Sequence, residues 1–217
     1  MDQQLLGQLY QIIVLIFLVI IHEVAHGLMA YRLGDNTAKE LGRLTLNPIK
    51  HLELFGSFLV PLLFIITNSP FILGWAKPVP FNPYNLKNPK RDGALIALAG
   101  PLSNFLIAII FGLIVRLMVV FTPIASSPVL YNIYNLLNVV IFVSVLLAFF
   151  NLIPIPPFDG SRIVFAFLSG KAERFWLQME QYGMLLIVLL LFGGVLSFLY
   201  PLVIFVFRLI VGPAVIL

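Results

Sequence analysis

The chain has 217 residues, of which 61% are hydrophobic and 10% charged, and its 13 Lys and Arg against 9 Asp and Glu give a formal net charge of +4. Soluble domains carry about 25% charged residues, so this composition excludes an ordinary soluble domain and predicts an all-α polytopic membrane protein in a lipid bilayer. In so apolar a chain a basic balance indicates orientation in a membrane, and we expect no nucleic-acid partner. The absence of cysteine excludes disulfides and thiolate metal sites, so any metal must be held by nitrogen and oxygen.

The first long apolar segment covers about residues 5–33 and is long enough, at about 1.5 Å per residue, to cross a hydrocarbon core of about 30 Å. The residues before it lack the basic region and the cleavage site of a secretory signal, so we expect a retained spanning helix. This helix carries His22, Glu23 and His26 toward its C-terminal end.

The polar stretch that follows contains GRLTLNP at 42–48, which alternates like a strand and predicts an extended segment. The next apolar stretch, 54–67, has about fourteen residues and contains Pro61, so it is short for a crossing and favours a re-entrant hairpin. The prolines of 68–92 predict an ordered irregular loop near the interface.

Two further spans are predicted at 94–121 and at about 131–153, and the second runs into NLIPIPPFDG at 151–160. An amphipathic piece precedes a last apolar stretch, 182–217, which is either one tilted helix or two helices about Pro201. The expected architecture is a single integral membrane domain over 1–217 with about four to six transmembrane helices. Its core covers about 5–168.

The distribution of Lys and Arg predicts the topology. Four lie in 32–53, four in 77–91, three in 162–174 and none in 122–130. If 54–67 enters the bilayer and returns, the three basic loops share one side, as the positive-inside rule requires. We therefore predict a multi-pass protein of the cell membrane, with the N-terminus outside and with His22, His26 and Asp159 toward the cytoplasm.

The chemistry lies in HEVAH at 22–26. Histidines four residues apart share one helix face and grip one metal ion, while Glu23 projects beside them as a general base. The alternative is that these groups solvate a helix end. Three ionisable groups in an apolar span cost about 2–3 kcal/mol each unless paired or metal-bound, which favours the metal.

Asp159 directly follows a span, in a proline-rich segment of irregular backbone, and irregular backbone at membrane depth is tolerated where it lines a cavity. With His22 and His26 it would hold one Zn²⁺ per chain and leave a coordination position open. Asn151 is the candidate for an oxyanion donor or a substrate-backbone contact. The alternatives are a turn-forming Asp-Gly pair for Asp159 and helix packing for Asn151.

These motifs resemble the site-2 protease family of intramembrane zinc metalloproteases (peptidase M50). HEVAH at 22–26 and NLIPIPPFDG at 151–160 match the two family motifs, with further similarity in GRLTLNP at 42–48, GWAKPVPFNP at 74–83 and AGPLSN at 99–104. The resemblance is to the compact prokaryotic branch without PDZ or CBS domains.

The resemblance implies zinc on His22, His26 and Asp159, the base at Glu23, and a substrate contact at Asn151. It also implies that the segment 42–48 lies at the site as a strand, beside an unwound substrate helix. The implied function is hydrolysis of peptide bonds in or near transmembrane segments of membrane proteins, in regulated intramembrane proteolysis. A cation-binding transporter or channel, and a catalytically dead relative that binds membrane helices, are the competing hypotheses; the sequence makes no prediction of oligomeric state.

Overall fold

The structure, a computed structural model, describes residues 3–67, 76–124 and 127–212. Within these ranges the regular structure is entirely helical, which confirms the predicted all-α class. Single 3₁₀ turns lie at Pro48–Lys50 and Pro83–Asn85, and a π-helical turn lies at Phe55–Leu59. The α-helices are α1 Gln3–Arg32, α2 Thr37–Glu40, α3 Val60–Ile66, α4 Pro89–Phe121, α5 Pro128–Asn151, α6 Asp159–Phe165, α7 Gly170–Glu180, α8 Gly183–Phe192 and α9 Val195–Val211.

Three of the described helices are long and apolar enough to cross a membrane: Tyr10–Arg32 within α1, all of α4, and all of α5. Two shorter apolar helices are Phe55–Ile66 and Ser197–Val211. Large apolar side chains cover the outside of the helices, as Leu106 and Leu113 on α4 illustrate at 58% and 56% exposure. Because lipid is the solvent that tolerates such a surface, the fold is that of a polytopic membrane protein.

The main core lies where α4, α5 and α9 meet. Its buried members are Ala108, Val115, Ile141, Val145, Val203, Phe207 and Val211. Gly112 brings α4 against α9, because a Cβ there would lie 2.1 Å from Ile210. Arg116 donates hydrogen bonds to the carbonyl oxygens of Leu209 and Ile210 at the end of α9, which gives a cation within an apolar helix its partners.

The segment 42–48 is not a strand, so this prediction was wrong. The segment is built of bends and turns, and no described residue forms a strand with which it would pair. Its polar groups bond locally instead: the Arg43 N–H donates to Ala38, the Asn47 N–H donates to the Thr45 hydroxyl, and the ring of His51 donates to the carbonyl of Thr45. A segment that has the alternation of a strand but no partner strand therefore satisfies its backbone polar groups with nearby residues.

The predicted re-entrant stretch is helical from Phe55 to Ile66. At about 1.5 Å per residue this length is about 18 Å, which is short of the hydrocarbon thickness. Re-entry itself stays a prediction, since the return path at 68–75 lies outside the described residues.

The C-terminal stretch is two helices, but the break is not at Pro201. The chain turns at Gly193 and Gly194, where Gly194 has φ +77° and separates α8 from α9. Pro201 lies inside α9. The left-handed conformation of Gly194 ends the helix, whereas Pro201 is accommodated within α9, as prolines are in membrane helices whose neighbours satisfy the freed backbone groups.

Candidate active site

Helix α1 places two imidazoles and a carboxylate together near its C-terminal end. His22 and His26 are one turn apart, and their rings meet edge to face with centroids 4.6 Å apart. His22 is 5% exposed, and His26 and Glu23 are partly buried.

Asp159 is carried to these histidines by the loop between α5 and α6. Phe158 anchors the loop by packing with Ile153 and Leu199 in a second apolar cluster. Gly160 lets the chain fold back on itself, since a Cβ there would lie 2.3 Å from the carbonyl oxygen of Leu152. Asp159 is therefore fixed as the first residue of α6 by the packing on both sides of it.

The three predicted ligand atoms converge. Nε2 of His22 lies 3.0 Å from Nε2 of His26, and Oδ2 of Asp159 lies 3.0 Å and 3.3 Å from those two nitrogens. For a tetrahedral zinc with ligands at about 2.0–2.1 Å, ligand atoms lie about 3.3 Å apart. The donor set and its spacing therefore fit one zinc ion. Oδ2 of Asp159 is buried and, in the described part of the chain, has no hydrogen-bond partner beyond these imidazoles.

The Asp159 carboxyl is held in its charged form. Burial by itself would raise its pKa, but the hydrogen bonds and the charges of His22 and His26 outweigh burial and hold the pKa of Asp159 well below its usual range. An anionic carboxylate beside two imidazoles is the protonation state that binds a divalent cation.

Helix α4 forms the wall behind the two histidines. Nδ1 of His26 lies 2.7 Å from the carbonyl oxygen of Ile96, so Nδ1 carries a proton, and in the neutral ring that binds metal Nε2 has the lone pair. Nδ1 of His22 lies 3.2 Å from Nδ2 of Asn104, which is fully buried. Gly100 lies between these contacts, and a Cβ there would stand 2.5 Å from the His26 ring and 2.6 Å from the His22 ring.

Glu23 is anchored through one oxygen. Its Oε2 accepts a 2.7 Å hydrogen bond from the backbone N–H of Val79, in a loop where Pro78 and Pro80 have no N–H. The buried Arg43 holds the same loop by donating to the carbonyl oxygens of Lys77 and Pro78, at 2.8 Å and 3.4 Å. Oε1 of Glu23 takes no part in this bond.

Asn151 is the last residue of α5, and its side chain bonds to its own helix. Nδ2 donates to the carbonyl oxygen of Leu147 at 2.9 Å. The predicted donor role at an oxyanion therefore needs a rotation of this amide, whereas Oδ1 suits an acceptor role as it stands.

Sequence reasoning missed the residues that support the site: Asn104, Gly100, Val79 and Arg43. Each acts across a long sequence separation, for example 82 residues between Asn104 and His22 and 56 between Val79 and Glu23. The available signal is their presence in the motifs AGPLSN, GWAKPVPFNP and GRLTLNP, of which only GRLTLNP is given a role by the resemblance.

The long apolar helices and the His, His and carboxylate cluster beside a glutamate define the class of membrane-embedded zinc metalloendopeptidases. The sequence model of the family described as "Peptidase family M50" matches residues 10–128 and 117–194. The chain belongs to this family, which confirms the predicted site-2 protease resemblance.

Relatives carry names of the same class. The chain is 36% identical to "Putative zinc metalloprotease YwhC" of Bacillus subtilis over 181 residues, covering 83% of this chain and 79% of that protein. It is 27% and 26% identical to "Putative zinc metalloprotease Rip2" of Mycolicibacterium smegmatis and of Mycobacterium tuberculosis, covering 82% of this chain and 64% of each relative. No solved structure matches the chain.

Proposed function

We propose that this chain is an intramembrane zinc protease that hydrolyses peptide bonds in or near transmembrane segments of membrane proteins, as a step of regulated intramembrane proteolysis. One zinc per chain is held by His22, His26 and Asp159. The observation that carries the proposal is the spacing of 3.0–3.3 Å among the three ligand atoms at the end of a spanning helix.

The chemistry divides between the metal and Glu23. Zinc, when bound, moves the pKa of a water toward neutrality and polarises the scissile carbonyl. Glu23 is next to the ligands, is not one of them, and has Oε1 left over from its bond to Val79. It takes a proton from the attacking water at this oxygen and delivers a proton to the leaving amine.

The substrate must present an unwound backbone. A helix hides its carbonyl groups in its own hydrogen bonds, so water reaches one of them only where the substrate helix opens. Oδ1 of Asn151 accepts a substrate N–H in this scheme, and Nδ2 becomes an oxyanion donor if the amide leaves Leu147. Substrates with Gly or Pro in the span are therefore the preferred class.

The site faces the cytoplasm of a cell membrane in this proposal. The basic loops 32–53, 77–91 and 162–174 then share the cytoplasmic side, and the loop 122–130 without Lys or Arg lies outside. His22 and His26 near the end of α1, and Asp159 after α5, meet at the depth of the basic loops.

The first experiment measures zinc content and cleavage of a membrane-helix substrate by the purified protein in detergent. Wild type is expected to bind about one zinc and to cut, and a chelator is expected to abolish cutting. Glu23→Gln is expected to keep the metal and to lose a factor of about 10²–10⁴ in rate, because the base is gone. Asp159→Ala is expected to lose zinc affinity.

Glu180→Gln is the matched control for Glu23→Gln, because Glu180 is an exposed glutamate at the end of α7. It should cut at the wild-type rate. A wild type without zinc, or a Glu23→Gln protein that cuts as fast as wild type, contradicts the protease mechanism and leaves cation transport as the better hypothesis.

A further inference from the structure

Asn104 is a fully buried amide that touches a proposed zinc ligand. It lies on α4 one turn after Gly100, and its Nδ2 is 3.2 Å from Nδ1 of His22. Among the described residues its Oδ1 has no hydrogen-bond partner. An unpaired acceptor at zero exposure is costly, so the amide needs a reason for its place and orientation.

The tautomer of His22 supplies that reason. Nε2 of His22 faces Nε2 of His26 and Oδ2 of Asp159, so Nε2 is the nitrogen that binds zinc. A ring that binds metal through Nε2 carries its proton on Nδ1, and this N–H needs an acceptor. The oxygen and nitrogen of an Asn amide are interchangeable in shape, so a half-turn brings Oδ1 to the place of Nδ2.

We propose that Asn104 is a positioning residue that accepts a hydrogen bond from Nδ1 of His22 and thereby holds this imidazole ready for zinc. The inference rests on the proposed function, since it takes His22 to be a zinc ligand. It assigns to the motif AGPLSN at 99–104 a role at the metal.

The contact at His26 supports the assignment. Its Nδ1 donates to the carbonyl oxygen of Ile96, so both ligands are held on the side away from the metal by the same helix face. Ile96, Gly100 and Asn104 are spaced four apart, and His26 and His22 are spaced four apart in the opposite chain direction. Antiparallel helices in this register bring one acceptor to each imidazole.

The test measures zinc affinity by competition with a chelator, for the full chain in detergent. Asn104→Leu keeps the bulk and removes the acceptor, so its zinc dissociation constant should rise about 10- to 100-fold. Asn104→Asp keeps an acceptor oxygen and should stay within about threefold of wild type. With Co²⁺ in place of zinc, the visible absorption spectrum of Asn104→Leu should change and that of Asn104→Asp should be preserved.

Ser144→Ala is the matched control, because Ser144 is also polar and fully buried, lies on α5, and has no hydrogen-bond partner among the described residues. It should bind zinc like wild type. Thermal unfolding with chelator present separates lost folding from lost metal, and Asn104→Ala replaces Asn104→Leu if the latter does not fold. Equal affinity of Asn104→Leu and Ser144→Ala, or an Asn104→Asp protein as weak as Asn104→Leu, overturns the proposal. A wild type without zinc overturns the metal site, and this proposal with it.

Discussion

At the scale of single residues, Gly100 decides how closely α4 approaches the two imidazoles. A methyl group at this position would stand 2.5 Å from the His26 ring and 2.6 Å from the His22 ring, closer than van der Waals contact allows. Yet alanine favours a helix over glycine by about 1 kcal/mol. The methyl group would lower zinc affinity, whereas the higher helix propensity of alanine would raise the stability of α4.

Gly100→Ala should therefore lose zinc while the protein stays folded. We expect its zinc dissociation constant to rise at least about 10-fold, as for other changes beside ligands. Zinc titration and thermal unfolding in the presence of chelator check the two halves of this prediction.

Gly93→Ala is the control, because Gly93 lies in the same helix with no atom within 4 Å of a new Cβ. It should bind zinc like wild type. Equal zinc affinities of Gly100→Ala and Gly93→Ala would show that the rings move aside at no cost.

The proposed ligands and the base were predictable from sequence, whereas the residues that hold them were not. The spacing of His22, Glu23 and His26 on one helix indicates a metal site. Asp159 is indicated by its position in a proline-rich segment directly after a span. Asn104 lies 82 residues from His22, and no local periodicity encodes which turn of α4 faces which turn of α1. That register comes from packing.

At the scale of elements, Asp35 ties the loop before α4 to the end of α1. The Asp35 carboxylate is fully buried and accepts hydrogen bonds from the Thr37 hydroxyl at 2.6 Å, the Asn85 amide at 2.7 Å and the Asn82 N–H at 2.8 Å. Burial would raise the pKa of Asp35, but these hydrogen bonds outweigh it and lower the pKa below its usual value. The same loop holds Val79 against Glu23.

A lowered pKa fixes the sign of the pH dependence. The stabilisation from Asp35 is fully present above about pH 4, the ordinary range of an aspartate, and is lost as the pH falls through its lower folded-state pKa. Asp35→Asn should lower stability at pH 6 by about 2–3 kcal/mol, because donors lose a charged acceptor, and should flatten the decline on acidification. Thermal unfolding in detergent between pH 6 and pH 3 measures both effects.

Glu40→Gln, a change at an exposed carboxylate in α2, controls for the loss of one negative charge. It should leave the stability at pH 6 within about 0.5 kcal/mol of wild type. An Asp35→Asn protein whose stability declines with acid as steeply as wild type would show that another carboxylate dominates.

The predictions of helices succeeded where the thickness of the bilayer determines how long an apolar segment must be. A spanning helix needs about 20 apolar residues, so α1, α4 and α5 were visible in the hydropathy. The strand at 42–48 failed because pairing depends on a partner elsewhere in the chain. The C-terminal stretch was expected to be either one tilted helix or two helices about Pro201, and it is two helices that break at Gly193 and Gly194, where Gly194 is left-handed.

At the scale of the whole molecule, orientation is open to a direct test because the chain contains no cysteine. A single introduced cysteine is then the only thiol. Ser127→Cys marks the loop without Lys or Arg, and Lys87→Cys marks a basic loop. In intact cells a membrane-impermeant maleimide should label Ser127→Cys and leave Lys87→Cys unlabelled until the membrane is permeabilised.

Lys50→Cys, in another basic loop, should behave like Lys87→Cys. If 54–67 crosses the membrane instead of returning, Lys50 and Lys87 lie on opposite sides and label differently. The same labelling pattern for Ser127→Cys and Lys87→Cys would exclude the predicted topology as a whole.

The carbonyl oxygen of Ile96 and the side chain of Asn104 differ in how strongly each constrains the residue type at its position. Ile96 contacts His26 through the main chain, which every residue type supplies, whereas the proposed support of His22 needs a side-chain acceptor at position 104. Ile96 is therefore exchangeable for other apolar residues that fill its buried place beside Ala30 and Leu86, whereas position 104 must keep a side-chain acceptor. If the proposal for Asn104 holds, relatives should show Asn or Asp at position 104 and several apolar residues at position 96, although both positions contact a proposed zinc ligand.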